Sequence, residues 1–189
     1  MAPTDDDHPR RRAARANRAR VLDSADQVFA RQGEAGSTEE VAALAGVGIG
    51  TVFRHFPTKA DLLDAVLARR FDRLTERATL LLDAGDPIEA LEAFLMFMID
   101  EAPGKIAIGE ALLDAGGDVT AGQQASERTR RAAARLIRHA QHAGQVRADV
   151  KPSEAYAVMA GAARALAQAK ITGAARRRSV AIVIDGLRA

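Results

Sequence analysis

Apolar residues recur at helical spacing along nearly the whole chain and no segment alternates like a strand, so the pattern predicts an all-α fold of about nine helices. Val21, Leu22, Ala25, Val28 and Phe29 form one face of a first helix, from about Ala16 to Gly33. Val41, Ala42 and Ala45 stripe a second helix, and Val52 with Phe56 anchors a two-turn third. A long fourth buries Leu62, Leu63, Val66, Leu67, Phe71, Leu74 and Leu81 and runs to Gly85. The stretch Phe94 to Ile99 is apolar nearly all round, as a helix buried on several sides should be. Pro103-Gly104 is expected to end that helix, with a separate short one through Ile106, Ile108, Ala111, Leu112 and Leu113. Ser126 to Ala143 reads as a basic amphipathic helix with Ala133, Leu136, Ile137 and Ala140 inward. Pro152-Ser153-Glu154 opens a helix of small residues ended by Gly173, and Ala175 to Leu187 forms the last.

The boundaries within Ser37 to Leu63 say more than the faces do. Ser37 and Glu40 make a capping box, each side chain satisfying a free amide of a helix start. Gly46-Val47-Gly48 breaks that helix and allows an immediate turn, with Gly48 as a weak N-cap for the next. With Val52 and Phe56 inward, Gly50, Thr51, Phe53, Arg54 and His55 face outward. Pro57 stops the short helix and Thr58 caps the following one, leaving Lys59 in its first turn, where a cation calls for a nearby anion such as a phosphate. This is a helix-turn-helix with a presented face. Asp86-Pro87-Ile88-Glu89 is a further clear helix start.

Charge sharpens the reading. The net charge of +2 hides an uneven distribution, because Arg10, Arg11, Arg12, Arg15, Arg18 and Arg20 crowd ahead of the helix-turn-helix, an electrostatic footprint for nucleic acid. Residues 1–14 are poor in apolar side chains and read as a disordered tail, in which Asp5-Asp6-Asp7 would repel phosphate. Cysteine is absent, which excludes disulfides and thiolate metal sites, and apolar runs are too short to span a membrane. The charged start has no signal-peptide core, so the expected location is cytoplasmic.

The block Ala45-Gly46-Val47, Gly50-Thr51, Phe53, Arg54-His55, Phe56-Pro57 and Lys59, with Arg20-Val21-Leu22, Ala25, Phe29 and Gly33 before it, resembles the DNA-binding domain of TetR-type transcriptional regulators. Two positions depart from that pattern: Phe53 stands where Tyr is usual, and Gly48-Ile49 where Ser-Lys is frequent. The resemblance implies a DNA-binding domain over 15–68 and a helical regulatory and dimerisation domain over 69–189. Thr51, Phe53, Ile49 and Gly50 would then meet base edges, while Thr38, Gly48, Arg54, His55, Lys59, Arg18 and Arg20 would lie at the DNA, the basic ones on phosphates. Val146-Arg147-Ala148-Asp149 and Asp185-Gly186-Leu187-Arg188 resemble the SbtR-like subgroup.

Ala157, Gly161 and Ala165, with Val180, Val183, Ile184 and Leu187, form the expected dimer interface, against the alternative that these residues close the chain's own core. The resemblance also implies a pocket for an apolar effector, for which Phe71, Phe94, Phe97, Met98, Leu112, Leu136 and Met159 are candidates, though each is equally core material. His139 and His142 lie three apart on a basic helix, a solvated face rather than a metal site, and no catalytic or cofactor motif occurs. The function expected is a homodimeric, effector-responsive repressor binding a palindromic operator. Its rival is an architectural DNA-binding protein without an effector.

Overall fold

The computed structural model describes residues 9–116 and 120–189, and residues 1–8 of the expected disordered tail lie outside it. Eight α-helices occur among the described residues: α1 (Pro9–Gln32), α2 (Thr38–Ala45), α3 (Ile49–His55), α4 (Lys59–Leu80), α5 (Pro87–Asp114), α6 (Thr120–His142), α7 (Pro152–Gln168) and α8 (Gly173–Asp185). Short 3-10 turns follow α1 and α4.

The helix faces are as the periodicity predicts, but three boundaries differ. α1 starts at Pro9, not near Ala16, because proline suits a first turn and the Arg/Ala run that follows favours helix; apolar spacing registers only the part of a helix that is buried. α5 runs through Pro103-Gly104 to Asp114, so the expected short separate helix is its second half and the helices number eight, not nine. Both halves of α5 bury apolar side chains, Phe94, Leu95, Met98 and Ile99 before the proline and Ile108, Ala111 and Leu112 after it, and this packing outweighs one lost backbone hydrogen bond. Gly173 opens α8 instead of ending α7, which stops at Gln168.

The chain folds as two compact units. The first contains the described residues up to Leu67 and those from Ala107 to Gly116; the second contains Ala68–Ile106 and Thr120–Ala189. α4 and α5 thus each contribute residues to both. In the first unit Val21, Phe29, Val41, Val52, Phe56 and Leu62 share one core with Ile108, Ala111 and Leu112. In the second, Leu74, Leu91, Phe94, Met98, Leu136, Met159 and Ile184 share another. The loop after α6 and the C-terminus, two stretches singled out in the sequence, pair as an isolated antiparallel bridge in which Arg147 N donates to Leu187 O at 3.0 Å and Ala189 N to Gln145 O at 3.2 Å.

Gly104 has a packing reason to be glycine. It is buried, and a Cβ there would overlap the guanidinium of Arg70, which donates to Glu101 Oε2 at 3.4 Å while Arg73 donates to the same oxygen at 2.9 Å. Lys105, one residue on, holds its ammonium 4.8 Å from the centre of the Phe71 ring. Burial pushes that ammonium down to about 8, with Glu101 opposing the drop and Arg70 adding to it.

Two measurements check this arrangement. Gly104→Ala should lower the thermal midpoint by an amount equivalent to about 1–3 kcal/mol of overpacking, whereas Gly109→Ala, where a Cβ meets open space, should raise it. Lys105→Met should raise the midpoint at pH 7. The unfolded chain holds that proton more tightly than the folded one, so the charged lysine costs stability below about pH 8 and the cost fades as pH rises towards lysine's ordinary value. The advantage of Lys105→Met should shrink over the same range.

Candidate nucleic-acid interface

The helix-turn-helix is held at each of its joints. Ser37 Oγ accepts from Glu40 N and Glu40 Oε2 from Ser37 N, both at 3.1 Å, completing the predicted capping box at the start of α2. Gly46 ends α2 in the left-handed region, at φ 63° and ψ 39°, and Val47 N donates back to Ala42 O at 3.1 Å. α3 follows after Gly48 without a side-chain cap, held instead by Val52 and Phe56, both buried. Thr58 and Asp61 form a second reciprocal box at the start of α4: Asp61 N donates to Thr58 Oγ1 at 3.0 Å and Thr58 N to Asp61 Oδ2 at 2.9 Å.

The face α3 presents is close to the predicted one. Ile49 (38% exposed), Gly50, Phe53 (42%) and Arg54 are exposed, Thr51 and His55 half-buried. A Cβ at Gly48 or Gly50 would meet open space, and neither has positive φ, so nothing within the chain asks for glycine at either position.

Four other candidates are placed differently from one another. Arg18 stacks its guanidinium 5.0 Å from the Phe56 ring centre, and Arg20 donates to Asn17 Oδ1 at 2.6 Å; both are exposed along α1. Lys59 is not turned towards an external anion: its ammonium donates to the Glu34 carbonyl at 2.7 Å and lies 5.5 Å from the Phe29 ring centre, clamping the start of α4 to the α1–α2 connection. Thr38 is buried, with its hydroxyl donating to Glu39 at 3.2 Å. Sequence reasoning passed over Leu44, 53% exposed on α2; its place outside the Val41, Ala42, Ala45 stripe was the available signal.

In the second unit the expected dimer residues divide. Ala157, Gly161 and Ala165 are exposed along α7, but Val180, Ile184 and Leu187 are buried in the unit's own core and Val183 is half-buried. The exposed apolar residues of this region are instead Val158 (55%) and Ile182 (72%). The correction follows from period: an α8 stripe at 180, 184 and 187 faces inward, where Arg176 ties the helix to α5 through Met96 O at 2.9 Å and Asp100 at 2.7 Å. Of the expected pocket residues, Phe94, Met98, Leu136 and Met159 are fully buried in the second core, Phe71 and Phe97 pack against it, and Leu112 belongs to the core of the first unit.

Residues 21–66 match the family of bacterial regulatory proteins called tetR, and residues 86–189 match the SbtR-like C-terminal domain of transcriptional regulators. The transcriptional repressor KstR of Mycolicibacterium smegmatis is 39% identical over 83 residues, covering 42% of this chain and 40% of that protein. The transcriptional repressor Rv3405c of Mycobacterium tuberculosis is 37% identical over 97 residues, 51% of this chain and 46% of that one. These matches span less than half of the relatives' length. Whole-length similarity comes from crystal structures: a TetR regulatory protein of Mycobacterium vanbaalenii, 37% identical, superposes with a TM-score of 0.77 over 96% of this chain and 100% of that one. The TetR regulator SCO0520 of Streptomyces coelicolor, 31% identical, gives 0.73 over 90% and 98%. The family and these relatives are transcriptional regulators, not enzymes, and no helix of the described residues is long and apolar enough to cross a membrane. The chain belongs to the TetR family of DNA-binding transcriptional regulators, its helix-turn-helix followed by an SbtR-like C-terminal domain.

Proposed function

We propose that the protein binds a palindromic operator as a homodimer and acts as a repressor released by a small-molecule effector held in its second unit. The observation that carries this reading is the exposed row Ile49, Gly50, Thr51, Phe53 and Arg54 on a helix fixed at both ends by capped neighbours. Ile49 and Phe53 offer apolar contact, of the kind a thymine methyl accepts, and Thr51 the one hydroxyl of the row. Arg54, His55, Arg18 and Arg20 supply phosphate contacts, and Lys59 and Thr38 position the helices that carry them.

Two turns of helix read few base pairs, so a dimer reading two half-sites is the economical arrangement. The surface that supports it is the exposed strip of Ala157, Val158, Gly161 and Ala165 on α7 with Ile182 on α8. That KstR and Rv3405c are named repressors favours the same sign of regulation here. α4 has residues in both units, and a change in the second unit has this helix as a covalent route to the first.

The test is selection of DNA from a random duplex library by the purified protein near physiological salt. An inverted repeat is expected; recovery of no motif would replace this reading with the architectural one. On the recovered operator, Thr51→Ala should lose roughly tenfold in affinity, the worth of about one base contact, with little change on random DNA. Arg54→Ala should weaken both DNAs alike and reduce the salt slope by about 1. Gly50→Ala should raise the thermal midpoint slightly, because alanine fits the φ and the open space at this first-turn position and narrows the unfolded ensemble, yet weaken operator binding, because the space left open there is taken by DNA.

A further inference from the structure

The apolar side chains expected to line an internal pocket are packed in the core, but the second unit has a cavity of about 630 Å³ at its surface, between α6 and α7. Ala134, Tyr156, Ala157 and Ala160 give it an apolar wall. Arg130, Arg131 and Arg138 line the α6 side, with Glu127 the single acidic residue among them. Glu127 is engaged with Arg131 Nε at 3.1 Å and, more loosely, with Arg130 Nη1 at 3.8 Å. Arg138 has no hydrogen-bond or ion-pair partner among the described residues.

We propose that this cavity is a ligand site for an organic carboxylate with an apolar body, and that it is where the effector binds. The second half of that statement rests on the regulator reading; the first does not. The volume falls within the range of about 300–1,000 Å³ usual for small-molecule sites. Three arginines line the cavity with one carboxylate, so a second carboxylate entering it can form charge-assisted hydrogen bonds with Arg138, while Arg130 and Arg131 add positive charge to the same wall. A neutral amphiphile could occupy the apolar wall but offers these arginines no counter-charge. The Tyr156 phenol on the same wall is neutral at physiological pH and available as a hydrogen-bond donor. The first turn of α7, at Pro152-Ser153, adds the positive end of its dipole to the same wall. Ala157 lies both on the cavity wall and on the strip assigned to the dimer, so an occupant alters the surface on which subunit geometry depends.

The experiment is titration calorimetry on the full chain with octanoate, 1-octanol and octyltrimethylammonium as probes. Octanoate should bind at least tenfold more tightly than the other two. Arg138→Gln and Arg130→Gln should each weaken octanoate about tenfold while the helical circular dichroism stays unchanged, and Arg135→Gln, exposed on the same helix but not lining the cavity, should leave it unaltered. No binding of octanoate, equal binding of octanol, or insensitivity to both cavity variants overturns the assignment. Release of the selected operator by octanoate, lost in Arg138→Gln, establishes the site as the effector's. Octanoate binding that leaves DNA affinity unchanged upholds the ligand site and refutes its effector role, and this calorimetry reads out even if no operator is recovered.

Discussion

A helix of seven residues is marginal in water, since the cost of its first turn is barely recovered before it ends. α3 persists because its boundary conditions are supplied from outside. Gly46 reverses the chain in a conformation costly for other residues. Val52 and Phe56 are sealed into a core shared with α1 and α2, and the Thr58–Asp61 box and the Lys59–Glu34 clamp fix where the chain leaves. None of these groups belongs to the outward row of α3, and that separation leaves the row free to be chosen for recognition instead of stability.

How much of this was legible follows from the range of each interaction. The capping boxes, the Gly46 turn and the Asp86 start, where Ile88 N donates to Asp86 Oδ1 at 3.0 Å, are short-range and were readable from residue types a few positions apart. Pro103-Gly104 is equally local as a breaker, and the reading failed there because the deciding contacts come from Arg70, over thirty positions away, and from apolar partners on either side. α8 failed for another reason: periodicity identifies a buried stripe but not what buries it. Val180 and Ile184 have the spacing of an interface and are closed by the chain's own core.

The second unit carries a cost where α4 meets α5. Arg70 and Arg73 meet Glu101 in a partly buried place, with Lys105 held near by against an aromatic face. Removing such groups from water is expensive, and replacing them by apolar residues of similar volume is often neutral or stabilising. Their value is geometric. Ion pairs between α4 and α5 favour one register over its neighbours, beside the place where Pro103 removes a backbone hydrogen bond from an otherwise continuous α5.

The same logic applies to the surfaces. Gly50 weakens α3, Ile49 and Phe53 expose apolar area, Ile182 does so on α8, and three arginines share a cavity wall with one carboxylate. Each is a poor choice for an isolated chain. They fall on the outward row of α3, on the α7–α8 strip and in the α6–α7 cavity, whereas Gly104 and Thr129, equally unusual residues, are explained by contacts inside the protein and Gly46 by its left-handed backbone. Thr129, for instance, donates to Phe71 O at 2.9 Å from a fully buried position. Exposure alone does not single these places out, since Leu44, Leu80 and Leu113 are exposed elsewhere; they are the surfaces proposed above for DNA, a second subunit and a ligand, and the cost of their residues to the isolated chain is what those proposals account for.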